Sequence, residues 1–220
     1  MFIKEFISDT VPVLDSEHLF LFALTLMDEL KISSLPVVDE GVYKGLLPEN
    51  AIYELDLFDQ SILEHEHLLK PISLRQDQTI LDAVNLFVQE STDILPIVDE
   101  LGNYQGALTK TDALKIISKL IAAGEQGGIL ALRMNYNDLC ISDISKVIEN
   151  EDANIINLFV SPVPSSTEIN IFIKINKVDL TRIERSLQRH NYDVMLLSEN
   201  KEFDESLSLK YDLFMKYLDI

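Results

Sequence analysis

The sequence predicts an α+β protein built from two unlike halves, and three observations carry that expectation. A stretch of thirteen residues recurs sixty positions later within the first half. Acidity is concentrated in the same half, with 22 acidic against 8 basic residues over 1–126 and 15 against 10 over 127–220. After residue 128 the apolar spacing becomes a single run of strand, helix, strand, strand, helix, strand. The organisation expected is therefore one repeat over 1–61, a second over 62–123, a small-residue linker at 124–128, a third domain over 129–198 and a helical tail over 199–220.

The repeat is read directly. Leu35-Pro36-Val37-Val38-Asp39-Glu40-Gly41-Val42-Tyr43-Lys44-Gly45-Leu46-Leu47 is echoed by Leu95-Pro96-Ile97-Val98-Asp99-Glu100-Leu101-Gly102-Asn103-Tyr104-Gln105-Gly106-Ala107-Leu108. The offset of 60 becomes 61 at the added Leu101. Each copy alternates as a short apolar strand, a turn rich in Asp, Glu and Gly, and a second strand, which is a hairpin signature. Helical spacing precedes each hairpin, over Leu19 to Leu30 and Ile80 to Gln89, and follows it, over Glu49 to Leu57 and Thr111 to Ile121. Asp77 or Thr79 can cap the upstream helix of the second copy, and Thr109 or Thr111 the downstream one. The order is β-α-β-β-α, twice.

The pattern Leu-Pro-(Val/Ile)-Val-Asp-Glu, a glycine-bearing turn, Gly-x-Leu and then Thr109-Lys110-Thr111-Asp112 resembles the CBS domain, and two copies over about residues 1–123 resemble the CBS pair. The resemblance implies two modules stacked sheet to sheet with two clefts related by pseudo-symmetry. In that family the clefts commonly hold AMP, ADP, ATP, S-adenosylmethionine or related ligands. The family's ribose grip, Gly-x-x-(Ser/Thr)-x-x-Asp, is complete in the second copy as Gly106-Ala107-Leu108-Thr109-Lys110-Thr111-Asp112. Asp112 would accept from ribose hydroxyls, the free amides of the helix start would face a phosphate, and Lys110 would neutralise charge there. Thr109 and Asp112 three residues apart also make an ordinary helix start, so both readings stand. The first copy reads Gly45-Leu46-Leu47-Pro48-Glu49-Asn50-Ala51, with proline at the hydroxyl position and alanine at the carboxylate position. Conventional nucleotide binding is accordingly expected at one cleft, formed by Thr109, Lys110 and Asp112, with Pro71, Ile72 and Ser73 leading in and Asp93, Ile94, Leu95 and Pro96 walling the base. Arg75 is the nearest further cation.

In the second half, strands are expected over Ile129 to Met134, Asn154 to Val160, Glu168 to Ile175 and Val194 to Leu197, and helices over Ser142 to Glu149, capped by Ser142 or Asp143, and Leu180 to Gln188. The order β-α-β-β-α-β is the ferredoxin-like plan. Behind a CBS pair it resembles an ACT domain, a fold that often binds amino acids at subunit interfaces. Asn135-Tyr136-Asn137-Asp138-Leu139 lacks the glycine usual at the first strand-to-helix turn of that family, which favours a pairing domain over an amino-acid sensor. In the tail, Leu207, Tyr211, Phe214 and Leu218 fall at helical spacing, and Lys210 and Lys216 are offset by Asp212 and Asp219, so core packing or a subunit contact is expected and not a membrane.

The formal charge of −19 opposes binding to nucleic acid. No run of eighteen apolar residues occurs, and Lys4, Glu5 and Asp9 interrupt the N-terminus where a secretory signal would be apolar, so a cytoplasmic protein is expected. Cys140 is the sole cysteine, which excludes an internal disulfide. His65-Glu66-His67 is metal-like in composition but sits in a polar connection, and no phosphate loop, His-Glu-x-x-His or Gly-x-Ser-x-Gly is present. The reading is a non-catalytic regulatory protein and homodimer that needs no cofactor and passes ligand binding on to the ACT-like domain or to a regulated partner protein. The alternatives are a ligand-free pairing module, an amino-acid-binding regulator and a small enzyme.

Overall fold

The computed structural model describes residues 2–8 and 10–198, in a mixed α+β fold that divides into two compact units, Met1–Ser118 and Lys119–Ile220. The tail stripe at Leu207, Tyr211, Phe214 and Leu218 lies outside the described residues.

In the first unit, α1 (Phe20–Leu30) leads to a hairpin of β1 (Ser34–Asp39) and β2 (Val42–Pro48), followed by α2 (Glu49–Leu55). The second copy opens with β3 (Leu74–Arg75) and continues as α3 (Ile80–Glu90), β4 (Ile94–Val98), β5 (Tyr104–Thr109) and α4 (Lys110–Leu120). The expected β-α-β-β-α order is complete in this copy. In the first copy the opening strand contracts to one parallel bridge, Leu14 to Val37. The reason is local: the amide of Ser16 turns to the Asp39 carboxylate at 2.9 Å, whereas that of its equivalent, Gln76, bonds the Val98 carbonyl at 3.2 Å.

Local chemistry follows the repeat closely. Thr79 caps α3 through a reciprocal box with Asp82, while Asp77 is drawn to Arg75 Nε at 2.9 Å. Lys31 and Ser91, sixty apart, both close their helices with positive φ, 55° and 51°. Gly41 and Gly102 sit at the hairpin turns with φ of 85°, a conformation that glycine adopts without steric penalty.

Those turns also join the copies. The amide of Tyr43 donates to the Gly102 carbonyl at 3.1 Å, and the amide of Tyr104 donates to the Gly41 carbonyl at 2.9 Å, a reciprocal pair between equivalent residues. A second reciprocity exchanges the lead-in segments. Lys70, ahead of the second copy, exchanges backbone bonds with Leu46 of the first at 2.8 and 2.9 Å, and Ser8, ahead of the first copy, does the same with Ala107 of the second at 3.2 and 3.1 Å. Ile3 is fully buried in the core of the second copy with Leu74, Ile80 and Leu108, and Ile62 in the core of the first with Phe20 and Leu35. The boundary expected at 61/62 is thus crossed in both directions.

The second unit contains β6 (Gly128–Asn135), α5 (Ile141–Glu149), β7 (Ile155–Pro162), β8 (Glu168–Ile175), α6 (Thr181–Arg189) and β9 (Asp193–Ser198). Its order is the β-α-β-β-α-β expected, and the strands form one antiparallel sheet in the order β7-β8-β6-β9. Ile169, Ile171, Ile173 and Ile175 bury alternate positions of β8 against Ile144, Ile148, Ile183 and Leu187 of the helices, the period of a strand with one covered face. The expected cap of α5 differs: the helix begins at Ile141, its cap position is Cys140 without a side-chain cap bond, and the Ser142 hydroxyl lies 3.2 Å from the Cys140 sulfur.

Candidate ligand clefts between the repeats

The starts of α2 and α4 occupy equivalent positions of the repeat, and the reciprocal exchange lays a lead-in segment against the hairpin ahead of each. At the start of α4 the Thr109 hydroxyl accepts from the Asp112 amide at 3.1 Å and donates to the Asp112 carboxylate at 2.7 Å. Lys115 Nζ holds the other oxygen of that carboxylate at 3.0 Å. Thr109 and then Lys115 hold the Asp112 carboxyl below the usual carboxylate range. Lys110 reaches Asp93 at 3.1 Å, and its backbone amide donates to the Asp93 carbonyl at 3.0 Å. The hydroxyl, the ammonium and both carboxylates of the second helix start therefore already have partners within the protein.

Asp93 joins the copies. Its second oxygen accepts from the Ser33 hydroxyl at 2.7 Å, and Ser33 is its own equivalent in the repeat. The Ser33 bond, followed by Lys110, depresses the Asp93 carboxyl. Beside this junction the buried Thr92 hydroxyl donates to the Ile94 carbonyl at 3.0 Å, which leaves the Ser34 hydroxyl to donate to Thr92 at 3.1 Å.

The first cleft holds a cavity of about 260 Å³, lined by Ser33, Ser34, Pro48, Glu49 and Asn50 from the first copy and by Lys70, Ile72, Glu90 and Thr92 from the second and its lead-in. Sequence reasoning grouped Pro71, Ile72 and Ser73 with Thr109 and Asp112. The structure places Ile72 at the first cleft instead, its carbonyl accepting from the Tyr43 hydroxyl of β2 at 2.6 Å. Burial, and then Tyr104, push the Tyr43 hydroxyl's pKa well up, so it stays a donor. Pro71 is exposed and Ser73 half-buried. Of the segment expected to wall a base, Ile94, Leu95 and Pro96 are buried in β4, with Ile94 in the first core and Leu95 in that of the second copy, and Asp93 is the accessible member. The cavity residues Ser34, Lys70, Glu90 and Thr92 carry no motif. Their signal was the offset of 60 itself, which pairs each lead-in with the opposite hairpin.

The remaining candidates lie elsewhere. Arg75 pairs with Asp77 on the surface. His65 contacts Gln60 and stands 5.7 Å from the His67 ring, and no group of three or more His, Cys, Asp or Glu residues suited to a metal occurs among the described residues. In the second unit, Tyr136–Asp138 forms a 3₁₀ turn, and an open pocket of about 330 Å³ is lined by Glu151, Lys177, Asp179 and Arg182. No helix among the described residues is long and apolar enough to cross a membrane.

The model of the CBS domain family matches residues 3–56 and 67–119. An uncharacterized protein of Methanocaldococcus jannaschii is 34% identical over 94 residues, 42% of this chain and 31% of that one, so the match spans about a third of that relative's length. Among solved structures, a CBS domain pair/ACT domain protein of Thermotoga maritima is 22% identical, with 55% of this chain and 99% of that one covered and a TM-score of 0.49. CBSX2 in complex with AMP is 21% identical, with 54% and 97% covered and a TM-score of 0.45. The CBS domain of a bacterial CNNM/CorC family Mg²⁺ transporter in complex with ATP is 17% identical, with 53% and 87% covered and a TM-score of 0.43.

Proposed function

The first unit is a tandem pair of CBS domains, and from that premise we propose that the protein is a non-catalytic regulator that binds an adenosine-containing ligand between the two copies. The observation that carries the reading is the cavity of about 260 Å³ whose walls come from both copies. A ligand seated there touches both modules, so any difference in its affinity for their closed and open arrangements shifts that equilibrium. The second cleft contributes the Thr109 hydroxyl and Asp112 carboxylate to a ribose and Lys110 to a phosphate, once a ligand displaces their present partners. The second unit, read as an ACT-like ferredoxin-like domain, receives the change and pairs two copies of the chain.

A second reading has a specific observation in its favour. Thr109 and Asp112 bond each other, and Lys110 bonds Asp93, as in a scaffold with no ligand to hold. Thermal melts with AMP, ADP, ATP and S-adenosylmethionine separate the two. A ligand at one hundred times its Kd stabilises by about 2.7 kcal/mol, and Asp112→Ala removes the part of the shift that comes from the second cleft. An unshifted melt with all four refutes the sensor and leaves the pairing scaffold.

A further inference from the structure

The two clefts are equivalent in position and differ in the charge that heads the downstream helix. The second copy starts its downstream helix with Lys110, and the first copy places Glu49 at the same point, lining the cavity. A second carboxylate, Glu90, lines the cavity from the last residue of α3, and a helix C-terminus itself carries partial negative charge. Lys70 is the one cation in that lining. The amide-bearing helix start that could compensate is short, because α2 spans only seven residues. What the walls offer instead is uncharged: the hydroxyl oxygens of Ser33, Ser34 and Thr92, whose protons are donated within the protein, beside the apolar Ile72 and Leu46.

An anion entering this cleft meets two carboxylates and a helix C-terminus against one ammonium, and like charges brought together without compensation oppose binding. A flat apolar ring system with hydroxyls meets no such opposition, and a cationic group is favoured. We propose that the first cleft takes an adenosine derivative without phosphate, uncharged or cationic, and excludes phosphorylated nucleotides. Those belong to the second cleft, where Lys110 stands in place of the glutamate and turns from Asp93 to a phosphate. The inference rests on the reading of the pair as an adenosine-ligand module and assigns it a division of ligands by charge.

Titration calorimetry on the full chain tests it, with adenosine, S-adenosylmethionine, AMP and ATP as probes and with Asp112→Ala silencing the second cleft. The Asp112→Ala chain is expected to bind adenosine or S-adenosylmethionine, and to bind AMP and ATP at least about tenfold more weakly. Adding Glu49→Lys reverses that order, and Glu49→Gln, which keeps the size of the side chain, narrows the gap. AMP binding as tightly as adenosine in the Asp112→Ala chain overturns the division, as does an order unchanged by Glu49→Lys, and either result leaves the adenosine reading intact. Failure of all four probes to bind the unaltered chain overturns the adenosine reading and the division with it.

Discussion

Removing the carboxylate of Asp93 is expected to loosen the contact between the two copies without disturbing either core. Its two oxygens take one bond each, from Ser33 at 2.7 Å and Lys110 at 3.1 Å. The side chains of Asp93 and Lys110 are 42% and 47% exposed, so their ion pair is on the scale of surface pairs, about 0.5 kcal/mol. A hydrogen bond to a charged group contributes about 1.5–3 kcal/mol when shielded, and partial exposure of Asp93 lowers that for Ser33 to about 1 kcal/mol. Asp93→Ala should thus cost about 1.5 kcal/mol, and a double-mutant cycle with Ser33→Ala should return a coupling of about 1 kcal/mol. Hydrogen exchange of the β1 and β4 amides reads this within the first unit, so unfolding of the second does not interfere. The pH dependence has a definite sign. Because the folded carboxyl is depressed, its contribution is complete above the unfolded value of about 3.9 and is lost as the pH falls through the lower folded value. The difference between the unaltered chain and Asp93→Asn should be flat above about pH 5 and shrink below about pH 4. Additivity of Ser33→Ala and Asp93→Ala to within about 0.3 kcal/mol would refute the junction.

Two further outcomes test the frame around the clefts. Tyr43→Phe deletes the donor to the Ile72 carbonyl and should cost about 1 kcal/mol, read as faster exchange of the Lys70 and Ile72 amides; unchanged exchange would mean that the lead-in is held without it. Gly127→Ala puts a methyl group 2.0 Å from the Ile175 carbonyl oxygen, at the end of β8, one of the two inner strands of the second sheet. Backbone must move to admit it, so a loss of about 3 kcal/mol is expected, confined to the second unit, and a chain melting normally would contradict the close approach.

Much of the frame was legible because local chemistry repeats. The two hairpins and their turn glycines repeat at an offset of 60 or 61 with the same geometry, and the Thr79 cap and the Thr109–Asp112 helix start, which belong to the second copy alone, are decided by neighbours in sequence. The period-two isoleucines of β8 were equally plain. What stayed hidden depends on segments far apart in the chain. Nothing in Lys70 or Ser8 announces a partner in the opposite hairpin, so neither the place of Ile72 in the lining of the first cleft nor the cavity beside Pro48, where the ribose motif is absent, is legible in the sequence. The motif is a statement about two side chains, whereas the cavity is a statement about what four separate segments leave unfilled. The start of α5 was misplaced for a smaller reason: Ser142 and Asp143 are both able caps, yet apolar Ile141 had already entered the helix.

The crossed lead-ins make the repeats inseparable in a way their tandem order conceals. Cutting the chain in the connector would not release two free modules, because each fragment would leave with an edge segment that completes the other. The packing is discontinuous along the chain: Ile3 and Ser8 lie against the second repeat, and Ile62 and Lys70 against the first. A tag, a fusion or a mechanical load attached ahead of Phe2 would tug first on the more distant repeat, and a pair of complementary fragments broken near residue 65 should reassemble by trading those segments back.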